Sequence, residues 1–125
     1  MPIYNFKAQF ADAVRSLRKR QTIRARGKRP PPKVGDIAHL YTGLRTTSVR
    51  LLGKHPITAV VPIGISARQR IVSTLCAESD PPRWQELSKE DVEQLARADG
   101  FRDADAFFQF FLDDGGTLSG FLIKW

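Results

Sequence analysis

Apolar positions along the chain change their period several times, and each change marks an element. Ile3 to Phe6 has the composition of a short strand. Phe10, Val14 and Leu17 then recur at helical spacing with Arg15, Arg18 and Lys19 on the other side, which predicts an amphipathic first helix. β-Branched Thr22 and Ile23 turn Gln21 to Arg24 into an extended strand leaving that helix, so Lys19 falls near the junction. Residues 25–35 contain the consecutive prolines Pro30, Pro31 and Pro32, which exclude helix and central strand and favour a stiff, exposed basic arm. From Asp36 to Tyr41 the pattern alternates, with Ile37, His39 and Tyr41 on one face and Ala38 and Leu40 on the other. The turn from Thr42 to Thr46 leads to a second strand around Ser48 to Leu52, which completes a hairpin.

Ile57 to Cys76 holds enough β-branched material for two further strands, interrupted by Pro62, Gly64 and the polar run Ser66 to Arg70. Asp80 to Trp84 reads as an inserted loop anchored against the body by Trp84. Ser88 and Asp91 form a capping pair, Val92, Leu95 and Ala96 share a helical face, and Gly100 supplies the stop. Asp103 can cap another helix over Ala104 to Phe111, in which Phe107, Phe108, Phe110 and Phe111 are too many rings for an exposed face and belong mostly to the core. After the Asp113 to Gly116 turn, Phe121, Ile123 and Trp125 alternate in a last strand expected to close the sheet. There is no internal repeat, and the strands do not alternate regularly with helices, which favours an α+β barrel over a Rossmann-like fold.

Composition adds limits. A chain of 125 residues with 42% hydrophobic positions, eight Phe and two Trp is the size and make-up of one globular domain, here residues 1–125. The single Cys76 excludes an internal disulfide, and no Cys and His residues have zinc-site spacing, so neither a metal nor an organic cofactor is expected. Those features, with no apolar h-region near Met1 and no apolar stretch of membrane-spanning length, point to a reducing cytoplasm and no membrane partner. Charge is unevenly spread. Residues 1–54 carry 13 basic and 2 acidic groups, whereas residues 55–125 carry 7 and 11. A basic half of this kind attracts polyanions before any specific contact forms. A purely solvated basic surface and a docking face for an acidic protein are the competing readings.

The segment Lys19-x-x-Thr22-Ile23-Arg24 after an amphipathic helix, followed by a basic loop, Val34-Gly35-Asp36 and a strand through Leu40 and Tyr41, resembles the ASCH domain, a relative of the PUA RNA-binding fold. The likeness extends over essentially the whole chain, through a helix ending near Asp99-Gly100-Phe101 and the alternating last strand. It implies a small mixed β-barrel of the PUA-like type, flanked by an N-terminal helix and two short helices near the C-terminus. Its cleft would receive RNA, a nucleoside or a nucleotide. Some members of the family resemble amidohydrolases that remove an acyl group from the exocyclic amine of acylated cytidine with a lysine, a threonine and an acid. Lys19 and Thr22 match the first two, while the nearest acid, Asp99, is one methylene shorter than the glutamate of such members. Leu17, where a small residue is usual, and the long stretch from Ile57 to Trp84 depart from the family pattern.

The chemistry of these residues can be stated without the family. A threonine hydroxyl is a weak nucleophile unless a base takes its proton, and a lysine does so when burial or neighbouring cations such as Arg18, Arg20 and Arg24 lower its pKa. A bend between helix and strand lets the Lys19 side chain fold back towards Thr22, and Asp99 can orient the lysine or serve as an acid. In a binding module without turnover, Lys19, Arg20, Arg24, Lys28, Arg29 and Arg45 would contact phosphates, Thr22 would hydrogen-bond a base and Tyr41 would stack on one. His39 is open between a structural role and a nucleic-acid or proton-transfer contact.

Overall fold

The computed structural model describes residues 2–76 and 80–125. In chain order the elements are β1 (Ile3–Phe6), α1 (Ala8–Arg15), β2 (Gln21–Ala25), β3 (Ile37–Thr42), β4 (Arg50–Pro56), β5 (Ala59–Ser66), β6 (Ile71–Cys76), β7 (Arg83–Glu86), α2 (Lys89–Ala98), α3 (Ala104–Asp113) and β8 (Thr117–Lys124). The two late helices begin where their caps dictate: Ser88 Oγ accepts from the Asp91 N–H at 3.2 Å, and Asp103 Oδ1 from the Ala106 N–H at 2.8 Å. Each satisfies a donor that the first helical turn leaves without an intrahelical partner.

The strands form two sheets, one ordered β1-β3-β4 and the other β2-β8-β5-β6-β7. The mixed α+β composition and the three helices are as the sequence implies, but the barrel is not: among the described residues neither sheet closes, and no ladder joins one to the other. The two sheets approach each other at two places. At one corner, past the end of β4 at Pro56, Ile57 still exchanges bonds with Gly35 and Asp36, at 2.9 and 2.8 Å, before the Thr58 N–H donates to the Lys124 carbonyl of β8 at 2.8 Å. At the opposite seam, between β1 and β2, the link is a side chain, with Arg24 Nη2 donating to the Asn5 carbonyl at 2.9 Å.

Strand β8 lies inside its sheet, between β2 and β5, and does not close it. Burial of the adjacent Leu122 and Ile123, which point to opposite faces, is the mark of that central position. Beyond β6 the expected loop is partly strand: Arg83 to Glu86 pair with Ser73 to Cys76, and Trp84 stays 55% exposed, so it does not anchor the segment against the body. Residues 77–79, within the long stretch from Ile57 to Trp84, lie outside the described residues.

Two cores result. Phe6, Phe10, Val14, Leu40 and Trp125 pack between α1 and the smaller sheet. Phe107, Phe108, Phe111, Ile63 and Val72 pack where α2 and α3 cover the larger one. Phe101 and Phe110 touch both. Among the described residues no helix is long and apolar enough to cross a membrane.

Candidate functional site

The site begins where α1 ends. Helical spacing continued to Leu17 would put Lys19 on the solvent side, yet α1 stops at Arg15. Leu17 then takes a φ of 65° and remains exposed. The Lys19 N–H donates to the Ala13 carbonyl at 2.9 Å, and this tight reversal turns the Lys19 side chain inward until the residue is 3% exposed. A cation removed from water needs a partner of opposite charge and full hydrogen bonding. Asp99 supplies the opposite charge and two acceptor oxygens. Lys19 Nζ donates to the Asp99 carbonyl at 2.5 Å and lies 3.1 Å from Oδ1, to which Gln21 Nε2 also donates at 3.3 Å.

Asp99 caps the C-terminus of α2, and the chain turns there through Gly100, whose φ is +96°. A Cβ at Gly100 would come within 3.0 Å of Phe10 Cδ1 and 3.2 Å of Lys19 Cδ, so both the backbone conformation and the passage of the lysine require glycine. The rings of Phe10 and Phe6 lie 5.1 and 5.8 Å from the ammonium and add a cation–π field around it.

Across the seam, Arg24 on β2 donates from Nε to Thr22 Oγ1 at 3.0 Å and from Nη2 to the Asn5 carbonyl at 2.9 Å, while its guanidinium lies 5.2 Å from the Tyr4 ring and 5.0 Å from Phe6. Thr22 is buried, and by accepting from Arg24 it keeps its own hydroxyl proton available to another acceptor. Among the described residues Arg24 has no carboxylate in salt-bridge contact.

Between these groups is a cavity of about 260 Å³. Lys19, Asp99, Thr22 and Arg24 are among its polar groups, with Asn5, Lys7 and Asp114 also on its lining, and Phe6, Phe10, Phe101, Phe110 and Phe111 supply aromatic wall. Burial governs the electrostatics. It lowers the Lys19 pKa, an effect that Asp99 opposes and Arg24 reinforces. It raises the Asp99 carboxyl, against the pull of Lys19, Gln21 and Arg24. It also lowers Arg24 and raises Tyr4, each partly offset by the other's charge. Lys19 is thereby brought closer to the neutral amine a general base requires, and Asp99 closer to the acid form. No hydrogen bond joins Lys19 Nζ to Thr22 Oγ1 among the described residues.

The structure therefore gathers Lys19, Thr22, Arg24 and Asp99 at one cavity. Arg29 lines a second one, of about 630 Å³, on the other side of Arg24. The remaining candidates stand apart. Arg20 donates from Nε to the Trp125 carbonyl at 3.1 Å, and Lys28 is exposed on the arm. Tyr41 is half-buried on β3, as is His39, and Arg45 is exposed with a φ of 65° in the turn after β3. None of these five lines either cavity. Sequence reasoning missed Gln21, although it sits inside the Lys-x-x-Thr segment, and it missed the ring pair Phe6 and Phe10 flanking the β1–α1 junction. No group of side chains suited to a metal ion occurs among the described residues. No family model, curated protein or solved structure matches the chain.

Proposed function

We propose that the chain is a nucleotide- or RNA-binding protein of the ASCH type, acting in the cytoplasm, whose cavity between β1 and β2 receives one nucleobase. The reading keeps the residues of the Lys-x-x-Thr-Ile-Arg segment and sets the barrel aside. Its main support is the buried Lys19–Asp99 pair at an aromatic-walled cavity. Apolar side chains of similar volume would hold this position at least as stably, so a buried ion pair beside an empty space is better explained by a ligand than by folding. A planar base suits the walls, which offer ring faces for stacking, and its polar edge would meet the Thr22 hydroxyl and the Arg24 guanidinium.

A second reading, amide hydrolysis of an acylated cytidine, is favoured by the Arg24 to Thr22 hydrogen bond and by the lowered Lys19 pKa. Neutral Lys19, swung from Asp99 towards Thr22, would take the hydroxyl proton as Oγ1 attacks the acyl carbonyl carbon. Arg24 would favour negative charge on that oxygen. The C–N bond would then break, with the exocyclic amine leaving on the proton returned by Lys19, and water would hydrolyse the resulting threonyl ester to release the carboxylic acid. A mass-resolved hydrolysis assay with acylated cytidines separates the two readings. Turnover by the wild type that disappears in Thr22→Val makes the protein an enzyme. Binding without turnover in the wild type leaves it a binding module. Neither binding nor turnover would refute both.

A further inference from the structure

The second cavity lies beneath the proline arm, and nothing in the pocket chemistry described above calls for it. The arm is tied to the body at its two ends. Arg26 N–H donates to the Ser119 carbonyl at 2.9 Å, and at the far end Gly35 N–H and the Asp36 carbonyl bond to Ile57 at 2.9 and 2.8 Å. Between these ties Pro30, Pro31 and Pro32 have no N–H groups that would demand partners from the sheet below, and their fixed φ keeps the segment extended. The arm therefore stands off the body as a roof over about 630 Å³, a volume within the roughly 300–1,000 Å³ typical of small-molecule sites. Arg24 and Ala25 line both cavities and form the partition between them.

The roofed space carries a positive excess. Arg24, Arg29 and Lys33 line it against the single carboxylate of Asp36, and that carboxylate is already engaged by the Lys33 N–H at 2.9 Å. None of the three cations is in salt-bridge contact with a carboxylate among the described residues. Among the described residues two of the five guanidinium N–H groups of Arg24 are used, by Thr22 and Asn5, so the side chain can serve an anion on the arm side while holding Thr22 on the other.

We propose that the space under the proline arm is a phosphate subsite, so that the ligand is a nucleotide and not a free nucleoside: the base enters the cavity beside Lys19, the sugar passes Arg24, and the phosphate is held by Arg24, Arg29 and Lys33. This rests on the base-pocket reading above and names its ligand class. The phosphate can belong to a free nucleotide or to an RNA chain, and the two sources differ in the test.

Calorimetric titrations with cytidine, cytidine 5′-phosphate, cytidine 3′-phosphate and a short cytidine-containing oligoribonucleotide test it, on the wild type and on the double variant Arg29→Ala/Lys33→Ala. Either mononucleotide should bind the wild type at least about tenfold more tightly than cytidine, in line with charge-assisted hydrogen bonds to an anion. The double variant should lose most of that preference. An oligonucleotide tighter than both mononucleotides identifies a chain as the source, and equal affinity identifies a free nucleotide. Equal affinity of cytidine and its phosphates for the wild type overturns the subsite while leaving the base pocket standing. A phosphate preference undiminished in the double variant overturns its placement under the arm. No binding of any probe refutes the base pocket and the subsite together. Both substituted side chains are exposed, and circular dichroism of the variant checks that the fold is kept.

Discussion

Removing the Lys19 amine leaves Asp99 at 5% exposure with Gln21 as its remaining side-chain donor. Lys19→Ala should therefore destabilise the fold by about 3–5 kcal/mol, the usual cost of orphaning one member of a buried pair, whereas Lys19→Met/Asp99→Leu should recover most of it. Urea unfolding measures both, and a single variant within about 1 kcal/mol of wild type would show that the pair is solvated. The raised Asp99 pKa has a definite sign in the pH dependence. Below the ordinary aspartate range the carboxyl is neutral in both states. As pH climbs from there through the raised folded value, the unfolded chain releases the proton first, and stability falls. Lys19, held below the ordinary lysine range, acts in the alkaline window, where the unfolded chain still binds the proton and stability rises with pH. The stability difference between wild type and Asp99→Asn should thus decline with rising pH on the acid side, and a flat difference would contradict the assignment. If the protein hydrolyses amides, the rate should rise with pH at a midpoint below that of a free lysine. Lys19→Arg should remove that limb.

Gly100 shows how an element boundary sets the site, because the C-terminus of α2 must turn left-handed while Lys19 passes beside it. Gly100→Ala should cost about 1–2 kcal/mol from backbone strain alone, more with the close approaches to Phe10 and Lys19, and should lower ligand affinity as well. An unfolding midpoint equal to that of wild type would mean that the turn relaxes freely. Elements of this kind were legible where their signal is local. Ser88 and Asp103 mark both late helices through their own side-chain caps, and the β3–β4 hairpin is announced by alternation around a turn. What the sequence concealed is non-local. The partners in the β2–β8 ladder, such as Gln21 and Lys124, are far apart along the chain, so no window of residues reveals that β8 is central. Lys19 looked solvent-facing because the helical period was carried past Ser16, where the helix has already ended. The segment that gathers the site was visible as Lys19, Thr22 and Arg24. The wall that completes it comes from Phe6, Phe10 and Phe101, whose apolar character alone does not tell a core ring from a pocket ring.

At the scale of the molecule, the open seam between the two sheets explains why the cavities and the charge coincide. A closed ladder between β1 and β2 would leave no room for Arg24 to stand between two spaces, and the basic half of the chain contributes β1, β2 and the arm that border them. Single-stranded RNA should bind with log affinity falling linearly in log salt, by about 0.7 per phosphate contact, and Arg29→Ala/Lys33→Ala should flatten that slope. Salt-independent binding would point to an apolar partner. The most direct test of the central claim is where a ligand lands, read by amide chemical-shift mapping during titration with cytidine 5′-phosphate. The account predicts shifts concentrated at residues 19–25 and 99–101, with a second group along the arm at 27–33. No shifts at millimolar ligand, or shifts confined to the charged surface between α2 and α3, would contradict it.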